Sequence, residues 1–212
     1  MFRQIGKFIQ SCLRRLHILS KYPRKISKTT LQQLPVCFYE GDIRFINDTE
    51  SARKAMEVIL QEDILGFDTE SKPSFSKGEK YAPSIVQMAT ASCVYIFQLD
   101  KTNQLKFLKP IFENEHILKV GIAIRDDVLK LRDIENFQPA GFKDISDLTK
   151  MLGIEQTGLR NLAGILLKCR ISKTSQVTDW SQENLSARQL TYAATDAWIS
   201  RKLYLKILKQ TQ

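Results

Sequence analysis

The sequence predicts an α/β domain in which a mixed β-sheet is flanked by α-helices, and three observations carry that reading. Apolar runs of strand length fill residues 64–70, 84–90 and 93–99. Strand and helix patterns then alternate through 116–122 and 126–136, and almost everything beyond residue 145 has helical periodicity. Strands, then strand-helix alternation, then helices are the order expected of a sheet covered by helices.

Taken from the start, Ile5, Phe8, Ile9, Cys12, Leu13 and Leu16 repeat at helical spacing among Lys7, Gln10, Arg14 and Arg15, which makes the opening a basic amphipathic helix. Such a helix docks on its own domain, lies on an anionic membrane or nucleic acid, or serves as a cleaved organelle transit peptide. Residues 20–34, with Pro23 among Ser, Thr and Lys, read as a linker. The chain thus divides into 1–33, helix and linker, and 34–212, the compact domain. Short strands are expected at 36–39 and 43–46, then a helix over 49–61 that Asp48 or Thr49 caps. The 64–70 strand is followed by a Ser-, Lys-, Gly- and Pro-rich loop over 72–83. Strands 84–90 and 93–99 pair as a hairpin across Ala91-Ser92. A helix over 104–114, a strand over 116–122 and a helix over 126–136 come next, and the helical remainder is broken by Gly153, Gly158 and the polar stretch 172–181.

Length and composition bound the class. At 212 residues the chain suffices for one sizeable domain, and no apolar run approaches the length of a membrane span. Cys12, Cys37, Cys93 and Cys169 are scattered without a Cys-x-x-Cys pair, so zinc ribbons and redox motifs are unsupported and reduced core thiols are expected. The net charge of +9 is unevenly spread: residues 1–39 hold eight basic residues and no acid, leaving 24 basic against 23 acidic residues in the rest. The basic excess that would attract an anionic partner therefore resides in the N-terminal arm. A cytoplasmic location is expected, with organelle targeting by the basic helix as the alternative.

The residues with chemistry to offer are carboxylates beside core-forming segments. On the 64–70 strand, Asp68 and Glu70 are two apart and share a face. Two like charges held close favour protonation unless a cation lies between them, and a divalent metal answers that requirement. Tyr192 and Asp196, four apart on a helix, reach a common point. A further acid, Asp127, opens the 126–136 helix beside Asp126. Each has an ordinary structural explanation: a solvated strand edge, a surface pair on a helix, and acids favoured by the helix dipole.

In combination, Asp68-x-Glu70, Asp127, Asp179-Trp180-Ser181 and the run from Leu185 to Trp198 containing Tyr192-Ala193-Ala194-Thr195-Asp196 resemble the tyrosine-containing branch of the DEDD superfamily of 3′-to-5′ exonucleases. That branch includes ribonuclease D, polymerase proofreading domains and the Werner-syndrome exonuclease, and the similarity spans roughly residues 40–210. The resemblance implies a ribonuclease H-like fold and hydrolysis of phosphodiester bonds at nucleic-acid 3′ ends, DNA or RNA, with release of nucleoside 5′-monophosphates. It implies two divalent cations, Mg or Mn, as cofactors, consistent with hard oxygen ligands and no His or Cys cluster near the acids. By the same resemblance Asp68 bridges both ions, Glu70 and Asp196 complete one site, Asp127 supports the second ion, and Tyr192 orients the attacking water. Asp127 suits the role better than Asp126 because a hydrophobic helical turn follows it directly, which leaves Asp126 as the cap. A catalytically silent nucleic-acid-binding or scaffold domain is the alternative.

Substrate contacts are expected from Thr69, from Lys72 and Tyr81 in the loop after the catalytic strand along with Phe75, Lys77 and Lys80, and from Leu159 and Asn161. The last two lie in a segment resembling the family's Gly-Leu-x-x-Leu helix opening, which the resemblance sets beside the 3′-terminal nucleotide. Trp180 and Trp198 have apolar neighbours at core spacing and are expected to pack. His17 and His116 have no partners in sequence.

Overall fold

The structure, a computed structural model, describes residues 22–73, 81–99, 104–172 and 178–211. The amphipathic helix expected at the N-terminus, and Phe75, Lys77 and Lys80, lie outside the described residues. In chain order the elements are α1 (Lys28–Gln33), β1 (Asp42–Ile46), α2 (Thr49–Ile59), β2 (Ile64–Ser71), β3 (Pro83–Ala89), β4 (Cys93–Gln98), α3 (Gln104–Phe112), β5 (Leu118–Gly121), α4 (Arg125–Ile134), β6 (Phe142–Asp144), α5 (Ile145–Met151), α6 (Leu159–Leu162), a π-helical turn (Ala163–Leu167) and α7 (Ala187–Thr211).

Six strands form one mixed sheet in the order β1-β4-β3-β2-β5-β6. The hairpin expected between β3 and β4 is antiparallel, β3 is antiparallel to β2, and β1-β4, β2-β5 and β5-β6 are parallel. Alternation along the strands sorts the two faces. Leu65 and Phe67 of β2, Val86 and Met88 of β3 and Phe97 of β4 pack with Ile59, Leu105, Phe112 and Leu131 from α2, α3 and α4. On the other face Ile85, Ala89, Val94 and Ile96 meet Ala193, Ala194 and Ala197 of α7, while Leu118 and Val120 meet Ile199 and Leu203. Helix α2 begins where Asp48 accepts from the Ser51 amide at 2.9 Å, as the sequence indicates. No helix of the described residues is long and apolar enough to cross a membrane.

The structure differs from the sequence expectations at four places. Residues expected to be linker are, from Tyr22 onward, packed on the domain. Ser27 caps α1, the Ile26 amide donates to Gln156 Oε1 at 2.8 Å, Lys25 pairs with Glu155 at 2.9 Å, and Arg24 pairs with the same carboxylate. Gly164 in the π turn leaves room for Ile26 and Leu31, whose Cδ1 atoms a Cβ there would meet at 3.0 and 2.6 Å. Ile26, Leu31 and Leu34, three apolar side chains among Ser, Thr and Lys, suffice to dock a single helical turn or two, which composition does not reveal. The strand expected at 36–39 reduces to an isolated bridge between Val36 and Arg170. That bridge brings together two cysteines 132 residues apart: Cys37 and Cys169 form a disulfide, correcting the expectation of reduced thiols, while Cys93 is free and buried. Finally β6 is only three residues long, too short to leave an alternating pattern.

Lys119 of β5 is fully buried. Its ammonium donates at 2.8 Å to each of the carbonyls of Ile111, Asn114 and Ile117, closing the C-terminal end of α3, and it lies 5.0 Å from the centre of the Phe142 ring. Burial pushes its pKa down to about 7. Lys119→Met takes the shared donor from three carbonyls, of which that of Ile111 still accepts the Asn114 amide at 3.2 Å, and a loss of about 3 kcal/mol is expected in urea unfolding. The amine is deprotonated more readily in the folded protein than in the unfolded chain, whose value is 10.5, so this group's contribution grows as pH rises between about 7 and 10.5. The wild-type advantage over Lys119→Met should therefore widen across that window, and a difference that narrows would refute the account.

Candidate active site

Strand β2 delivers two of the acids. Because Leu65 and Phe67 point into the core under α2 and α3, Gly66, Asp68 and Glu70 face α7 on the opposite side. Helix α7 supplies Tyr192 and Asp196 one turn apart. Its approach is close: a Cβ on Gly66 would fall within the Ala197 carbonyl group, the residue next to Asp196. As a result one carboxylate oxygen each from Asp68, Glu70 and Asp196 lies within 4.8 Å of the other two. Asp127, in the first turn of α4, is held outside that cluster by a hydrogen bond with the Thr69 side chain, near enough for its charge to act on Asp68 and Glu70.

The electrostatics are those of acids gathered out of water. Burial, then the charges of Asp196 and Asp127, hold the Asp68 carboxyl well above the usual range. Burial and the neighbouring Asp68 push Glu70 up to about 9. Asp196 rises to about 7 through burial, against the opposing effects of a hydrogen bond from the Tyr192 phenol and the Arg160 charge. Tyr192 itself is pushed upward by burial and by Asp196, so its proton stays on the phenol. Three converging carboxylates with no nitrogen or sulfur donor fit a hard divalent cation, whose charge would relieve the repulsion that now favours protonation.

Asp196 and Tyr192 line a cleft of about 740 Å³ together with Leu159, Arg160, Asn161 and residues of α1. Leu159 also borders a smaller recess with Asp68, Thr69, Glu70 and Ser200. The structure thus assembles Thr69, Leu159 and Asn161 around the carboxylates. Lys72 and Tyr81 are turned to each other, with the ammonium 5.7 Å from the ring centre, and line neither cavity. Trp180 is fully buried and packs against Tyr192 in a tilted pair with ring centres 6.0 Å apart, and Trp198 packs on Tyr39. Asp126 does not cap α4: the cap position is Ile124, and Asp126 lies exposed in the first turn.

Four residues have contacts that the sequence did not assign to them. Arg160 donates through Nε and Nη2 to the Ile171 carbonyl and lends its charge to Asp196. Ser200, four residues beyond Asp196, was signalled by helical spacing alone. Lys28 and Gln32 of α1 reach the cleft only through tertiary packing, which left no local signal.

A family model described as 3′-5′ exonuclease matches residues 43–212, the stretch that holds all of these acids. The chain belongs to the 3′-5′ exonuclease family. It is 33% identical over 170 residues to a putative 3′-5′ exonuclease of Acanthamoeba polyphaga mimivirus, covering 72% of this chain and 41% of that protein. It is 30% identical over 203 residues to a 3′-5′ exonuclease of Arabidopsis thaliana, covering 87% of this chain and 69% of that protein. The crystal structure of Escherichia coli RNase D, an exoribonuclease involved in structured RNA processing, superposes with a TM-score of 0.72 at 20% identity over 80% of this chain and 45% of that one. That likeness establishes the ribonuclease H-like fold.

Proposed function

We propose that the chain is a metal-dependent 3′-to-5′ exonuclease that releases nucleoside 5′-monophosphates from nucleic-acid 3′ ends. The observation that carries the reading is the convergence of Asp68, Glu70 and Asp196 within 4.8 Å, with Asp196 also lining a cleft large enough for a nucleotide. Asp68, Glu70 and Asp196 would hold the metal, with Asp127 joining from α4. Two divalent ions, Mg or Mn, held by these carboxylates would supply an activated water and charge stabilisation on the phosphoryl and leaving oxygens. Tyr192, protonated and bonded to Asp196, orients the attacking water. Leu159 and Asn161 border the terminal nucleotide. A silent scaffold domain is disfavoured because all five of Asp68, Glu70, Asp127, Tyr192 and Asp196 are intact.

Strands of DNA and RNA labelled at either end, incubated with Mg or Mn or with chelator, test the proposal. Shortening from the 3′ end that chelation abolishes is the expected result. Cleavage within the strand, or activity in chelator, would sink it. Tyr192 and Asp196 should separate: Tyr192→Phe lowers turnover about 100-fold with metal affinity near wild type, whereas Asp196→Asn lowers both. Calorimetric titration showing equal loss of metal in the two variants would overturn that division.

A further inference from the structure

Residues 28–38 precede the family-matched stretch, 43–212, yet side chains among them wall the cleft that Asp196 lines. Lys28, Leu31 and Gln32 line it along with Tyr192 and Asp196. A second groove, of about 370 Å³, is continuous with the first: both are bordered by Ile171, Ser172 and Tyr192. Its own lining includes Val36 and Phe38, which are 46% and 50% exposed. Around the two grooves the described lining residues include three cations, Lys28, Arg160 and Arg188, and one acid, Asp196. Lys28 and Arg188 have no ion pair or hydrogen bond among the described residues.

An exposed phenyl ring beside unpaired cations, on a path leading from a carboxylate cluster, suits a polyanion with flat apolar faces. The backbone that carries the ring is also held in place. On one side of Phe38, Cys37 is tied to Cys169 by the disulfide and donates its amide to the Arg170 carbonyl at 2.9 Å; on the other, the Tyr39 amide donates to Thr195 Oγ1 at 3.0 Å, one residue from Asp196. With the backbone fixed on both flanks, only the two side-chain torsions of Phe38 remain to be ordered when a base stacks on it.

We propose that this N-terminal wall binds the nucleotides upstream of the 3′ terminus of a single strand, with Lys28 against a backbone phosphate and Phe38 under a base. The direction of the strand rests on the exonuclease reading; the binding itself does not. Lys28→Gln and Phe38→Ala, each in the full chain carrying Asp68→Ala so that substrate persists, are titrated by fluorescence anisotropy against labelled oligo-dT and oligo-U of two and eight nucleotides over a salt series. For the octamers, Lys28→Gln is expected to weaken binding about threefold and to flatten the slope of log K against log salt by about 0.7, one single-strand phosphate contact. Phe38→Ala should weaken octamer binding about tenfold, the scale of one lost stacking contact. Both effects should shrink for the dinucleotide. With Asp68 restored, KM for the octamer should rise more than kcat falls.

Octamer affinities and salt slopes equal to those of the parent would overturn the proposal, as would losses equal for dimer and octamer. The exonuclease reading is judged separately. If Asp68-containing protein shortens strands from the 3′ end while both variants bind like the parent, only the wall is refuted. If no 3′ shortening occurs but both variants bind octamers weakly, the wall stands and the exonuclease reading falls.

Discussion

Asp68→Ala should remove at least about three orders of magnitude of turnover, the scale of losing a principal electrostatic stabiliser, while leaving the fold intact. Asp68 is repelled by Asp196 and Asp127 and repels Glu70 in turn. Its removal therefore relaxes the remaining acids. The sign of the pH effect follows from Glu70, whose folded value of about 9 exceeds the ordinary 4.5. A carboxyl raised in this way contributes its stability in full below about 4.5 and loses it as pH climbs toward 9. Metal-free wild type should accordingly become less stable from pH 5 to pH 9, and Asp68→Ala should fall less steeply. Divalent metal should raise the wild-type Tm most at the alkaline end, where the acids need give up fewer protons to bind it, and should raise that of Asp68→Ala far less. Thermal melts with and without Mg across this range, beside the labelled-strand assay, read all three effects. Unimpaired turnover in Asp68→Ala would falsify the assignment.

What could be read in advance was local. Leu65, Gly66, Phe67, Asp68 and Glu70 declare their two faces by alternation, and Tyr192 and Asp196 their common face by a spacing of four, so the halves of the site were visible separately. Their meeting follows from the sheet order, which sets β2 at the centre under α7. The features that escaped are those whose partners are distant in sequence. Lys119 looks like a polar interruption of a strand until the carbonyls at the end of α3 close around it. Cys37 and Cys169 are brought together only by the Val36-Arg170 bridge. Docking of α1 depends on the hollow left by Gly164, and no periodicity in six residues announces it.

Gly66→Ala should be among the most damaging single substitutions in the protein, although it adds one methyl group. Gly66 occupies the centre of β2, paired with Ala89 on one side and Val120 on the other, so the strand cannot retreat without breaking two ladders. The added Cβ would overlap the Ala197 carbonyl oxygen, and would lie 2.9 Å from its carbon and 3.0 Å from Arg201 Cβ. The obstacle is helix backbone, which has no rotamer to change. Helix α7 must move instead, and it is bound there by the fully buried Ala193, Ala194 and Ala197 and by Arg201, whose Nε donates to the Ile64 carbonyl at 3.0 Å. A destabilisation of about 3 kcal/mol is expected from the overpacking. Turnover should fall further than stability suggests, by about 100-fold in whatever fraction stays folded, because Asp196 shifts with Ala197 and a displacement near 1 Å at reacting groups costs that much. Gly158→Ala is the contrasting case: nothing lies within 4 Å of its Cβ, and its Tm should match wild type. Urea unfolding and single-turnover hydrolysis of the two variants separate packing from a general intolerance of glycine replacement. If Gly66→Ala keeps the wild-type midpoint and rate, α7 is not held against β2 as tightly as the site requires, and the joining of Asp68 to Asp196 must rest on other contacts.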